Sequence, residues 1–482
     1  MGIDLKISAA DYERLSGHLF RGDHDEHAAA LLAAPHARPD GGLTLLVREL
    51  MPVGDADFPP GDHGYRQTAP LFIARHAGRA GELGLAYLSV HNHPGASNQV
   101  DFSHDDLAAH KRLFPHLLDL TAGTPVGGLV LGSRSAAGEI WMPRGKPAEL
   151  DSLRVIGSEL EHQTAEPRAH QAAPMARFDR QARLFGAAGQ SILGSMRVGV
   201  VGVGGGGSMI VEQLAHLGVG EIVGVDHDVV KPHNLSRIVG ATPRDARRHV
   251  KKVEVARRLS QRIDPDIRFT AIDGDVADLA VASRLVDLDF LFLATDTIAS
   301  RLVFNAIVHR FLVPGIQIGA KVELRPGSTE IEEVYVAVRP VLPDKGCLHC
   351  AGLIDPIRLQ QEAATAEERA AQNYLGTAEV IDPSVVTLNG IAASNAVNTM
   401  LFAAVGLADP ALLDHRLFFP RDGSIMTVGA RRDSECPWCA RVPHSAYAAG
   451  DPVDALPCRR TPAPAPPTTW WGRLRRALRE RS

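Results

Sequence analysis

Gly202-Val203-Gly204-Gly205-Gly206-Gly207-Ser208 is the stretch on which the fold of the C-terminal half turns. Residues 196–201 read as a short apolar strand entering it, and 209–217 as a helix leaving it. Strand, glycine loop and helix in that order let the backbone approach a phosphate, while free amides at the helix start favour its charge. The next strand, 220–225, ends at Asp226, a carboxylate placed to bind ribose hydroxyls. The alternation continues to about residue 320, which predicts an α/β chain with a Rossmann-like doubly wound domain. Gly202, Gly204, Gly205, Gly207 and Asp226 are therefore nucleotide-binding candidates. On these residues alone the nucleotide can equally be NAD.

The following residues fit a dehydrogenase poorly. Asp226-His227-Asp228 leads to Asn234-Leu235-Ser236-Arg237, then to Lys252-Val253-Glu254. A hydrophobic strand over 290–294 ends in Thr295-Asp296, with Arg301 and Asn305 one and two turns beyond. Cations around a nucleotide are superfluous for hydride transfer. They suit adenylation, in which a carboxylate attacks the α-phosphate and charge builds on phosphate oxygens and leaving pyrophosphate. The series resembles the ThiF/MoeB/HesA family, relatives of the ubiquitin-activating enzymes, over about residues 177–440, including the upstream Arg177-Phe178-Asp179-Arg180-Gln181. The resemblance implies Mg2+ and ATP as cofactors, with Asp226 on the ribose, Arg237 and Lys252 on phosphates, Asp228 and Asn234 beside them, and Asp296 positioning magnesium. It also implies that Arg180 reaches into a partner protomer's site in a homodimer. The implied substrate is the terminal glycine of a ubiquitin-like or sulfur-carrier protein, with a conjugating-enzyme-like partner as one route onward.

Cys347-Leu348-His349-Cys350 and Cys436-Pro437-Trp438-Cys439 make a four-thiolate set with no open position, which reads as a structural Zn2+ site. Cys458 is the one cysteine left over; Arg459 and Arg460 beside it favour a thiolate, and a tail position lets it swing towards an adenylate. Ubiquitin-activating relatives pass the carrier to a cysteine, yet residues 351–435 hold none. Three outcomes stay open: a thioester on Cys458, an ester on Ser384 or Thr387, or direct hand-over of the acyl-adenylate.

The N-terminal part carries a second chemistry. Residues 43–49 read as a strand ending at Glu49, and 85–90 as a strand running into His91-Asn92-His93-Pro94. Histidines at i and i+2 of an extended segment put both rings on one face. Asp106 or Asp105, in the first turn of a helix over 107–120, can supply a third ligand. Two His and one Asp leave a position open, the mark of a catalytic Zn2+, with Glu49 as base and Ser103 as oxyanion donor. The whole string, with Arg21-Gly22-Asp23-His24-Asp25-Glu26-His27-Ala28 upstream, resembles the JAB/JAMM metalloprotease family over about residues 15–143. That likeness implies Glu49, His91, His93, Ser103 and Asp106 as its site, and cleavage of a peptide or isopeptide bond after a carrier's glycine. Asn92 departs from the usual Ser or Thr, at a position whose side chain is expected to point away.

These motifs divide the chain into a hydrolase domain (1–145), a linker (146–176), an adenylation domain (177–445) and a proline-rich, basic tail (446–482). A net charge of −5 argues against a nucleic-acid binder. The only long uncharged run, 385–408, contains Asn389, Asn395 and Asn398, which predicts a buried helix and no transmembrane segment. Five cysteines, four of them in metal-type pairs, with no secretory signal, predict a cytoplasmic protein.

Overall fold

Two sheets organise the chain, and each is built round strands buried on both faces. The computed structural model describes residues 2–59, 64–166, 176–325, 328, 330–363 and 384–460. The first sheet contains β1 (Ile3–Ser8), β2 (Ala28–Ala37), β3 (Leu43–Pro52), β4 (Ala86–Asn92), β5 (Val126–Leu131), β6 (Ala136–Trp141), β7 (Ala148–Glu149), β8 (Ser152–Ile156) and β9 (Leu160–Gln163). Their order is β7-β6-β5-β4-β2-β3-β1-β8-β9. Helices α1 (Ala9–Leu19), α2 (Pro70–Leu83) and α3 (His104–Leu120) cover it. Strand β2 is a nearly continuous alanine and leucine run because both its faces are covered. Ala28, Ala30, Leu32 and Ala34 join the cluster of Phe72, Ala77 and Ala80 from α2, whereas Ala29, Leu31 and Ala33 join that of Leu15 and Leu19 from α1.

The segment 146–176 is not a linker throughout. Strands β7, β8 and β9 belong to the sheet, and β8 pairs with β1 in parallel from Asp4↔Ser152 to Ser8↔Ile156. The N-terminal unit therefore runs on past residue 145 to Gln163. These strands are two to five residues long, too short for a hydrophobic period to stand out among Lys, Glu and His. Residues 167–175 lie outside the described residues.

The second unit comprises α4 (Asp179–Ser195), β10 (Arg197–Val201), α5 (Gly205–Leu217), β11 (Glu221–Val225), α6 (Pro243–Arg247), α7 (Lys252–Ile263), β12 (Arg268–Ile272), α8 (Leu279–Ala282), β13 (Phe290–Leu293) and α9 (Ile298–Arg310). After these come β14 (Gly315–Leu324), β15 (Ile331–Val341), α10 (Pro356–Ala363), α11 (Val386–Ala404), β16 (His415–Phe419) and β17 (Ser424–Val428). Strands β12-β11-β10-β13-β14 are parallel, and β15, β16 and β17 extend the sheet antiparallel. Helix α11 is the expected buried helix, and no described helix is long and apolar enough to cross a membrane.

The expected tail from 446 begins instead as a strap joining the two units. Arg48 of β3 donates to the carbonyls of Tyr447 (2.5 Å), Pro443 (2.6 Å) and Ser445 (3.0 Å). His36 of β2 lies between Asp451 (2.8 Å) and Asp287 (3.1 Å), with its ring edge-on to Phe311. Arg441 pairs with Asp11 and Asp344, and Tyr447 is buried over it. Charged side chains set on carbonyls and carboxylates at irregular spacings hold this joint, with Phe311 and Tyr447 packed beside them, so no sequence period announces it. The proline-rich and basic stretch 461–482 lies outside the described residues.

Candidate active sites

The N-terminal site forms where β4 ends. His91 Nε2 and His93 Nε2 lie 3.3 Å apart, and Asp106 Oδ2 stands 3.6 and 3.5 Å from them. The rings share a face because the strand is extended. Asp106 reaches them because α3 starts with a reciprocal cap: Ser103 Oγ accepts from Asp106 N, and Asp106 Oδ2 accepts from Ser103 N and Oγ. Asp106, not Asp105, is thus the third member of the set. Separations near 3.4 Å match the edges of a tetrahedron with metal–ligand bonds of about 2.1 Å, so the donor set fits zinc. Burial pushes the Asp106 carboxyl up, but hydrogen bonds from His91 and His93 outweigh it and hold the group far below the usual carboxylate range.

Glu49 is not at this site. On β3 it opposes Leu32, whereas His91 opposes Ala28, four residues along β2, or about 13 Å. Because β2 lies between β3 and β4, Glu49 is also two strands away, and both its oxygens pair with Arg79 at 2.8 Å. The acid at the site is Glu26, whose Oε1 lies 4.0 Å from His93 Nε2. Burial raises its carboxyl pKa, against the opposing pull of His91 and His93. Its signal in the sequence was the acidic string just upstream of β2. Asn92 does not point idly away: it is 2% exposed, and its Oδ1 accepts from His27 N at 2.7 Å, tying the Glu26 segment to the histidine strand.

In the second unit the glycine loop follows β10 as expected. A Cβ on Gly207 would lie 1.8 Å from the Gly202 carbonyl, and Gly202 itself has φ +84°, so both positions demand glycine. Asp226 closes the loop from the end of β11, accepting from Val203 N (3.0 Å) and Asp228 N (2.9 Å). Burial raises its pKa, the strongest counterweight being Lys252. Lys252 Nζ sits 2.6 Å from Asp228 and 3.9 Å from Asp226, so these three residues form one charged cluster. Arg237 lies over Gly205, while the buried Asn234 spends its carbonyl on Lys231 N and shapes the turn that carries Arg237. Asp296 and Arg180 are exposed.

The four cysteine sulfurs are buried, with Sγ–Sγ distances of 3.5, 3.7 and 3.6 Å for Cys347–Cys350, Cys347–Cys436 and Cys350–Cys439. A tetrahedron of Zn–S bonds near 2.3 Å has edges of about 3.8 Å, so this set also fits zinc. Cys458 departs from expectation. It packs against the core, and burial reinforced by Asp278 and Asp275 pushes its thiol up to about 12 despite Arg459. Arg459 is itself paired with those two aspartates, which is why it does not activate the thiol.

This strand–loop–helix arrangement matches a known family. The chain belongs to the ThiF family, whose model matches residues 178–437. It is 29% identical to the SAMP-activating enzyme E1 of Haloferax volcanii over 256 residues, 53% of this chain and 84% of that one. It is 34% identical to the molybdopterin-synthase adenylyltransferase of Escherichia coli over 178 residues, 36% of this chain and 67% of that one. The crystal structure of E. coli MccB with ATP overlays with a TM-score of 0.43 at 19% identity, covering 57% of this chain and 76% of that one.

Proposed function

We propose that the chain activates the terminal glycine carboxylate of a ubiquitin-like or sulfur-carrier protein as an acyl-adenylate, and that its N-terminal unit cleaves the bond after such a glycine. The observation that carries the first activity is the Asp226–Asp228–Lys252 cluster beside the glycine loop, in a chain of the ThiF family. Asp226 takes the ribose, Arg237 and Lys252 the phosphates, and Asp296 the magnesium of Mg·ATP. Arg180, exposed at the start of α4, serves the partner protomer of a homodimer. Four of the five cysteines are taken up in the zinc set and Cys458 is packed with a raised pKa. That favours direct hand-over of the adenylate to a partner's nucleophile over a thioester on this chain.

The hydrolase reading, of JAB/JAMM type, is carried by His91, His93 and Asp106 converging beside Glu26. His91, His93 and Asp106 would hold a zinc ion, which would supply Lewis-acid activation of water and of the scissile carbonyl. Glu26 would take the water's proton and return it to the leaving amine, and the Ser103 hydroxyl, which donates to Asp106 Oδ2 at 2.7 Å, would turn from that carboxylate to the carbonyl oxygen as the latter gains charge. Hydrolysis trims precursors or reverses conjugates, whereas activation uses only the free carboxylate, so the two activities act on different species in the cytoplasm.

ATP–pyrophosphate exchange with magnesium, run against a panel of carriers ending in glycine, tests the first activity. Exchange that depends on one carrier and vanishes in Asp296→Ala supports it; no exchange from folded, zinc-loaded protein rejects it.

A further inference from the structure

We propose that Asn389 is a catalytic residue of the adenylation centre, donating from Nδ2 to the α-phosphate that the incoming carboxylate attacks. The inference rests on the adenylation reading above. The start of α11 lies against the start of α5: a Cβ on Gly205 would meet Asn389 Nδ2 at 2.3 Å and Arg237 Cδ at 3.3 Å. Gly205 is the first residue of α5 and is not among the positive-φ glycines. Backbone freedom therefore does not explain a glycine there; the close approach of the Asn389 amide does.

The surroundings make this amide conspicuous. Asn389 is 9% exposed, on a helix whose Leu388, Ala392, Ala393 and Ala396 join the apolar core. A buried amide among such neighbours is costly unless its donors are used. One N–H of Nδ2 goes to Ser384 Oγ at 3.2 Å. A primary amide has a second, and Nδ2 is the Asn389 atom nearest Gly205. Asn389, Arg237 and the free amides of the α5 start thus converge on one flank of the loop, where an anion is favoured.

The chemistry calls for a donor at this place. A carboxylate oxygen of the carrier forms a bond to the α-phosphorus, and the bond from that phosphorus to the β-phosphate's bridging oxygen breaks. Pyrophosphate leaves with the electron pair, and no proton is transferred. Charge rises on the non-bridging α-oxygens meanwhile, and a fixed N–H aimed there stabilises it.

The test uses the full, zinc-loaded chain and needs no carrier. Affinities for Mg·ATP and for adenosine are measured by calorimetry in wild type, Asn389→Leu and Asn389→Asp. Loss of one hydrogen bond to a charged partner predicts Mg·ATP binding weaker by roughly ten- to hundred-fold in Asn389→Leu. Adenosine binding and the melting temperature should stay unchanged. Asn389→Asp, which keeps the shape and sets a carboxylate against phosphate, should weaken Mg·ATP further, and it decides the matter if the leucine variant fails to fold. An unchanged ratio of Mg·ATP to adenosine affinity in the variants overturns the role of Asn389 alone. A wild-type chain that binds no Mg·ATP overturns the adenylation reading and this inference with it.

Discussion

The two centres are built by opposite means. The phosphate cradle of the C-terminal one is a single stretch of backbone, β10 through the loop into α5, kept in shape by glycines that pack on their neighbours' carbonyls. The N-terminal one is assembled from side chains of three separate segments: Glu26 ahead of β2, His91 and His93 at the end of β4, and Asp106 at the start of α3. The pairing of β2 with β4 and the Asn92 bonds to His27 bring the first two segments together, while the Ser103 cap orients Asp106 at the start of the third. A backbone cradle tolerates no added atom. A side-chain site tolerates changes of volume nearby but not the loss of one functional group.

The largest predicted effect is on the side-chain site. Glu26→Gln should lower cleavage of a glycine-extended carrier by about 10²- to 10⁴-fold, the usual worth of a positioned acid–base group. It should leave pyrophosphate exchange unchanged. Glu49→Gln should leave cleavage within about twofold, since that carboxylate serves Arg79 on the surface. Equal losses in the two variants would erase the distinction between them.

The backbone site is broken by a methyl group. Gly207→Ala puts a carbon 1.8 Å from the Gly202 carbonyl, with no flexible side chain to yield. A cost of about 3 kcal/mol is expected, as for severe overpacking. Mg·ATP affinity, read by calorimetry, should fall with it while zinc at His91, His93 and Asp106 is retained. Retained nucleotide binding would show that the loop is less rigid than its contacts imply.

The same contrast explains what the sequence made legible. A strand, a glycine loop and a helix in sequence constrain one another locally, so the nucleotide site was readable from contiguous residues. The histidine pair was readable for the same reason, His91 lying on β4 and His93 one residue past its end. Glu26, by contrast, lies two residues ahead of β2, and Glu49 lies within β3. Only the pairing of β2 between β3 and β4 decides which of them reaches the histidines. Asn389 and Gly205 meet through helix packing far apart in the chain, and the strap that joins the units is held partly by carbonyls, which carry no residue code, and partly by ion pairs between distant residues such as His36 and Asp451.

A smaller effect probes whether the two centres share one stable body. Arg48 satisfies three strap carbonyls within 3.0 Å. Arg48→Met keeps the stem and removes the donors, leaving those carbonyls unpaired, which should cost about 2–3 kcal/mol. Amide exchange of residues 443–447 should accelerate with it, while both sites keep their ligands. A protection pattern unchanged from wild type would mean that apolar burial around Tyr447 suffices for the joint.

The smallest effect is a pH dependence at the same joint. Burial lowers the pKa of His36, but hydrogen bonds from its two nitrogens to Asp287 and Asp451 outweigh this and raise it overall. The other charges facing the ring region are Arg310, which donates to Gly450, and Lys6, which reaches the Phe311 carbonyl. A histidine whose folded pKa is raised binds its proton more tightly folded than unfolded. Its stabilisation is therefore complete below the unfolded value of about 6.5 and is lost as pH rises through the higher folded value. Thermal melts from pH 6 to 9 should show wild type losing about 1 kcal/mol relative to His36→Gln across that window, comparable to one hydrogen bond. The variant has no proton to lose. Parallel curves for the two proteins would place the pH sensitivity of the joint elsewhere than at His36.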